Sequence, residues 1–125
     1  MPRDATGRLL LKQKFRLRKR NDFERVRRYG RSFAHPLIVL IDHSNELAHS
    51  RFGVAAGRAV GKAVERNRTK RRLRAILAPL IPDIVPGVDI LLIARKPILV
   101  ASHARLDSAV KQLLNKAKLF KQSGD

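Results

Sequence analysis

Cationic and apolar stretches alternate along this chain in blocks. Twelve Lys or Arg lie in residues 1–34 and none in 35–50; nine lie in 51–74 and none in 75–94; the last seven follow in 95–125. A chain written this way must fold its neutral blocks inward and carry its cations on the elements between them. With 125 residues it is one domain's worth, long enough to bury roughly two-thirds of its unfolded surface. Hydrophobic residues make up 44% of it, so a core is expected and wholesale disorder is not. Ten acids cannot offset 28 cations, and the net charge is +18. A compact body so charged repels itself, and a polyanion relieves that: nucleic acid first, an anionic membrane surface second.

The apolar runs LIVLI (37–41) and VDILLIA (88–94) are short and rich in β-branched residues, as buried strands are. SFAHPLIVLID (32–42) is expected as one strand with Pro36 near its start or at an edge. RFGVAA (51–56) is expected as the next, with HSNELAHS as the turn, so that residues 32–56 form a hairpin with a long loop. An extra short strand is placed around 29–33. Before it, Asn21 as N-cap and Glu24 three residues on predict a helix carrying Phe23 and Val26 inward. Gly30 is expected to close that helix in the left-handed conformation. Ser102 is expected to cap a last helix with Leu106, Ala109, Val110, Leu113 and Ala117 on one face. The order αββ(β)αβα describes an α+β two-layer sandwich, a small mixed sheet with helices packed on it.

The most basic stretch, VERNRTKRRLR (64–74), is not a featureless tail. At the helical period Thr69, Leu73, Ile76, Leu77 and Leu80 fall in one arc, a stripe for the core. Arg66, Asn67, Lys70, Arg71 and Arg74 fall in an adjacent arc, and Arg68 and Arg72 lie outside both. Pro79 is expected to stop the helix. Arginine binds phosphate oxygens through a planar fork. Like charges at i, i+4 cost a few tenths of a kcal/mol each in a free helix, a cost that a polyanion reverses. A solvated helix face is the ordinary alternative, but with Glu65 the one acid between residues 65 and 72 the face cannot neutralise itself. Asn67 both donates and accepts; it could cap locally, bind a base edge or sugar hydroxyl, or hold a hydrated metal.

Catalytic constellations are missing from the pattern. AGRAVGKA (56–63) has Ala56 where a phosphate-binding loop starts with Gly and Ala63 where it needs Ser or Thr, so no NTP is expected. Gly57 and Gly61 read instead as a turn into the helix. His35, His43, His49 and His103 have no metal-ligand spacing, no Ser-His-Asp arrangement stands out, and the acids are scattered. No metal or other cofactor bound by the protein itself is expected, and the protein alone is expected to be catalytically inert. There is no cysteine, hence no disulfide or thiolate site. No apolar run approaches the ~20 residues of a membrane span, and the first 20 residues lack the apolar stretch of a secretory signal. The expected setting is cytoplasmic, with no membrane partner.

GKAVERNRTKRRLR (61–74) resembles the signature helix of the bacterial ribonuclease P protein component, an Arg-Asn-Arg followed by Lys-Arg and a further Arg. RLRKRNDFERV (16–26), FGVAAGRAVG (52–61) and LIARKP (92–97) are similar to that family's N-terminal segment, its strand and turn before the helix, and its third strand with its exit. The resemblance covers about residues 16–120. It implies the small protein partner of a catalytic RNA that cuts the 5′ leader from precursor tRNA, the active site and its Mg²⁺ belonging to the RNA. It implies the same α+β sandwich, with a left-handed crossover between parallel strands against the usual hand. The domain organisation expected is a flexible basic arm over 1–15, one RNA-binding domain over 16–120 and a flexible tail over 121–125. The RNA-facing set it implies is Arg66, Asn67, Arg68, Lys70, Arg71 and Arg74. The leader-binding set is Phe23, Arg27 and Arg58 in a cleft lined by the sheet face and first helix. Arg27 and Ile41 stand where the family carries aromatics, and Arg58 and Ala59 where it carries paired lysines, which implies a more cationic cleft. A ribosomal or other structural RNA-binding protein of similar build is the alternative. A helix-turn-helix DNA binder is disfavoured by the strands before the basic helix.

Overall fold

The computed structural model describes residues 12–122. Seven elements follow in order: α1 (Arg20–Tyr29), β1 (Arg31–Ala34), β2 (Ile38–Ser44), β3 (Arg51–Ala55), α2 (Ala63–Leu77), β4 (Val88–Ala94) and α3 (His103–Lys116). The four strands form one mixed sheet in the order β1-β2-β4-β3. β1–β2 and β2–β4 are antiparallel, and β3–β4 is parallel. The α+β class and the extra short strand are as expected. The basic arm expected over 1–15 lies largely outside the described residues, as does the end of the tail. Gln13–Phe15 form a single 3-10 turn, with the Phe15 ring edge-on to His49 at 5.9 Å.

The hairpin expected over 32–56 is not formed. The first predicted strand breaks at Pro36 into β1 and β2, which pair with each other. β4 then inserts between β2 and β3. VDILLIA is apolar on both faces, so it is stable only where both faces and both edges are covered, and the centre of the sheet is that place. Ile90, Leu92 and Ala94 point to one side, Leu91 and Ile93 to the other. The 45–50 loop must therefore pass over the start of β4, and two side chains fix it there. Asn45 donates from Nδ2 to Asp89 Oδ1 at 2.9 Å. The Ser50 hydroxyl donates to Val85 O at 2.6 Å and accepts from Val88 N.

One face of the sheet packs on α2 and α3. Leu73, Ile76 and Leu77 of α2 and Leu106, Ala109, Val110, Leu113 and Leu114 of α3 bury against Ile38, Leu40, Phe52, Val54, Ile90 and Leu92. Ser102 caps α3 as predicted, its hydroxyl accepting from Arg105 N at 3.1 Å. The other face is only partly covered. α1 lays Val26 on Ile41 and Leu91, with Leu17 beside them, and leaves Val39, Ala55 and Ile93 half-exposed. Position 41, where an aromatic was the family expectation, is therefore core beneath α1.

The ends of α1 differ from the sequence expectation. Its N-cap is Lys19 and makes no side-chain cap, Asn21 lies inside the helix, and Glu24 pairs with Arg20 at 3.1 Å instead of reaching back. Gly30 is not left-handed (φ −78°). It is required for space: a Cβ there would stand 2.5 Å from both Asp42 O and Val26 O, where helix end and strand backbone meet. Among the described residues no helix is long and apolar enough to cross a membrane.

Candidate nucleic-acid interface

Helix α2 begins at a turn made by Val60 N on Gly57 O and Gly61 N on Arg58 O. Glu65, the one acid of the basic run, accepts from Lys62 N at 2.9 Å and so closes the helix start. It is spent on the fold, which leaves the run without its own counterion. The helix ends at Leu77 and continues as a 3-10 turn, Ala78–Asp83, through Pro79. Thr69, Leu73, Ile76 and Leu77 are buried as the stripe predicted, and Leu80 is half-buried against them.

The structure sorts the cations of α2 into three groups. Arg66, Lys70 and Arg74 succeed one another at i, i+4, i+8 and are half-buried along one flank. Asn67 and Arg71 ride the exposed top. Arg68 and Arg72 occupy the opposite flank, where Arg72 donates to Ile98 O at 3.3 Å and Ala101 O at 3.0 Å. Arg72 is thus a brace between α2 and the turn before α3. Asn67 is exposed in mid-helix and makes no side-chain hydrogen bond among the described residues, which removes local capping from its three readings.

Along the Lys70–Arg74 flank runs a cleft of about 300 Å³, lined by Arg16, Leu17, Arg18, Phe23, Phe52, Gly53, Val54, Lys70 and Arg74. No acid lines it. Burial, together with the charge of Arg16, pulls the Arg74 guanidinium below its ordinary pKa. The site thus holds crowded cations that an anion would relieve. Phe23 reaches it from α1, and its ring lies on the backbone of Gly53; a Cβ on Gly53 would stand 2.9 Å from ring Cζ. Gly53 is the position that lets an aromatic lie this close to the sheet. The ring is half-buried and lines the cleft together with the cations.

Sequence reasoning misses Arg16 and Arg18 as site residues. Leu17 N donates to Phe52 O at 2.8 Å, and Arg16 bridges Phe52 in parallel register, so this segment extends the sheet past β3. Leu17 then points inward and its two neighbours outward, and the period-2 pattern Arg-Leu-Arg was the available signal. Two of the three leader-binding expectations are not gathered here. Arg27 lies one turn beyond Phe23 on α1, exposed, and Arg58 sits exposed in the turn before α2; neither lines the cleft.

Phe23 is held in place by a buried ionic cluster that the sequence did not reveal. Asp89 on β4 has a fully buried carboxylate. It accepts from Arg51 Nε at 2.9 Å and Nη2 at 2.8 Å, from Arg25 Nη2 at 3.2 Å and from Asn45. Asp22 joins through Arg25 at 2.8 Å and Arg51 at 3.5 Å. Burial alone would raise the Asp89 carboxyl, but the hydrogen bonds from Arg51 and Asn45, the Arg51 charge and the Arg25 bond together hold it below its ordinary value. Asp22 and Arg25 flank Phe23 on α1, so the cluster sets the angle at which the ring meets β3. A second pair, Arg31 on Asp42 at 3.0 and 2.8 Å, ties β1 to β2, and Arg31 also reaches Ala117 O.

Comparison with known proteins gives one consistent match. Residues 11–118 fit the family model described as Ribonuclease P. The chain is 34% identical over 114 residues to the "Ribonuclease P protein component" of an Exiguobacterium species, covering 91% of this chain and 99% of that protein. It is 38% identical over 114 residues to that of a Roseiflexus species, covering 90% and 93%. Among solved structures, the Staphylococcus aureus RNase P protein superposes with a TM-score of 0.78 at 30% identity over 86% of this chain and 98% of that one. The Thermotoga maritima RNase P protein gives 0.74 at 30% identity over 81% and 96%.

Proposed function

The chain belongs to the ribonuclease P protein family, and from that premise we propose that its cleft holds the 5′ leader of precursor tRNA while the exposed side of α2 docks on the catalytic RNA. As a family member it is a subunit of the endoribonuclease that processes tRNA 5′ ends, and its partner in that complex is RNA. The observation that carries the leader reading is the convergence of Phe23 with Lys70, Arg74, Arg16 and Arg18 on one cleft that no acid lines among the described residues. An aromatic face and a row of cations bind a single strand by stacking and phosphate contact, without regard to base identity. That suits a protein meeting many different leaders. Arg27, exposed one turn beyond Phe23 on α1, is assigned to a further base, which it can stack by its guanidinium plane.

Asn67 and Arg71 project from the top of α2 and Arg68 from the flank away from the cleft; these three are assigned to the RNA subunit, together with Arg66 in the first turns of the helix. Arg58 stands at the entrance to the helix and is assigned to phosphate contact there. Cleavage is assigned to the RNA partner and its Mg²⁺. Supporting this, six of the protein's carboxylates are already engaged: Asp22, Asp42 and Asp89 with arginines, Glu24 with Arg20, Asp107 with Lys111, and Glu65 at the start of α2. The protein's part is to lower repulsion between two polyanions and so raise Mg²⁺ occupancy in the RNA. Its place of work is the cytoplasm. Adding the purified protein to the RNA subunit at low Mg²⁺ should stimulate 5′ processing of a precursor tRNA. Absence of stimulation would overturn the proposal.

A further inference from the structure

The opposite flank of α2 continues into a second cationic surface. Arg68 lines a small hollow with Glu65, Thr69, Arg72 and Leu99. From there Arg72 is hydrogen-bonded to the carbonyls of Ile98 and Ala101. The short 3-10 turn Lys96–Val100 lies between, and α3 starts immediately after it, with Arg105 in its first turn. Beyond the turn, Arg95 Nη1 donates to His35 O at 3.3 Å at the tip of the β1–β2 hairpin. The imidazole of His35 accepts from Leu37 N at Nδ1. Burial and the nearby charge of Arg105 both push that imidazole below its ordinary pKa. Arg72 in turn is pulled down by burial and by Arg68.

Arg68, Arg72, Arg95, Lys96 and Arg105 therefore border one stretch of chain, and none has an ion-pair partner among the described residues. Glu65 is the acid that borders the same ground, and its carboxylate is turned to Lys62 N. A folded domain that leaves five such cations together, four of them exposed, carries a repulsion that an external polyanion relieves. The braces point the same way. Arg72 fixes the turn to α2, and Arg95 fixes it to the hairpin, so the exposed heads of Arg68, Lys96 and Arg105 stand on rigid backbone.

We infer that the surface formed by Arg68, Arg95, Lys96 and Arg105 is a second phosphate-backbone site, occupied by the catalytic RNA subunit and not by the precursor. It rests on the reading above that an RNA subunit is the partner. The cleft and this surface lie on opposite flanks of α2, a cylinder about 10 Å across. A single strand stacked on Phe23 cannot reach both without wrapping the exposed top of the helix. α2 thus stands as a partition: substrate on the Lys70–Arg74 side, RNA subunit on the Arg68 side, with Arg71 and Asn67 along the crest. Arg72 acts as a positioning residue, holding the turn that carries Lys96.

The chain has no cysteine, so a single Lys96→Cys substitution carries a tethered hydroxyl-radical probe without background. In the assembled complex with precursor tRNA, cleavage is expected in the RNA subunit's backbone. Cuts confined to the precursor, or none at all, overturn the inference. The triple variant Arg95→Gln, Lys96→Gln, Arg105→Gln provides the second measurement. It should lower the salt-dependence slope of RNA-subunit binding by about 2 to 3, at roughly 0.7–0.9 for each phosphate no longer neutralised. The preference for leader-bearing over leaderless substrate should stay as in the parent. An unchanged slope, or a loss of leader preference, refutes the assignment. Failure of the unsubstituted protein to bind the RNA subunit would instead sink the functional reading it rests on.

Discussion

Replacing Asp89 by Asn isolates what the buried ionic cluster does for the site. The substitution keeps the side chain's shape and one acceptor oxygen, so Asn45 and one arginine N–H can still be satisfied. It removes the charge that Arg51 and Arg25 share. Arg51 is 21% exposed and Arg25 40%, whereas the Asp89 carboxylate is fully buried. Breaking a buried pair costs about 3–5 kcal/mol; partial solvation of both guanidinium groups and the nearby Asp22 place this case at the low end, about 3 kcal/mol. For a domain of this length that corresponds to a fall in Tm of about 10–15 °C. The pH dependence fixes the mechanism. A carboxyl held below its ordinary value contributes stability that is fully present above the unfolded range, about pH 4, and is lost as pH falls through the lower folded value. Urea unfolding of parent and variant should therefore differ at pH 7 and converge in acid. Because Asp22 and Arg25 carry Phe23, the variant should also lose part of its preference for leader-bearing substrate. Equal stability at pH 7, or a gap that does not narrow on acidification, would refute the argument.

Phe23→Ala should weaken binding of leader-bearing precursor by about 5- to 150-fold, the range of one base stack at ~1–3 kcal/mol, with leaderless tRNA little changed; equal weakening of both would return the ring to a packing role. Arg74→Gln should reduce the salt-dependence slope of precursor binding by roughly 0.7–0.9, and an unaltered slope would mean that Arg74 meets no phosphate. Gly30→Asn separates two roles for a glycine. A left-handed cap would accept Asn, whereas the close approach to Asp42 O and Val26 O predicts a loss of about 1–3 kcal/mol, read as a lowered urea midpoint.

The elements, the inward stripe of α2, the Ser102 cap and the cationic character of residues 64–74 were all legible in the sequence, because each depends on spacing within one or two helical turns or on alternation along one strand. So was the family, through the Arg-Asn-Arg helix and the order of the segments around it. Strand order was not. RFGVA sits six residues after β2, and proximity argued for a hairpin, but a run buried on both faces took the place between them. That choice is made by what is left to cover it, which no local pattern records. The same holds for the site. Arg68, Lys70 and Arg72 are alike in charge and neighbours in sequence, yet Lys70 lines a cleft with Phe23, Arg72 braces the turn before α3 and Arg68 stands exposed on the far flank. Arg16 and Arg18 joined the cleft because Leu17 extended the sheet past β3. Asp89, an acid in an apolar strand, became the anchor of α1 because Arg25, Asn45 and Arg51 arrive from three separate segments. Sequence determined that α2 would present cations; tertiary packing alone decided which side of it each cation would serve.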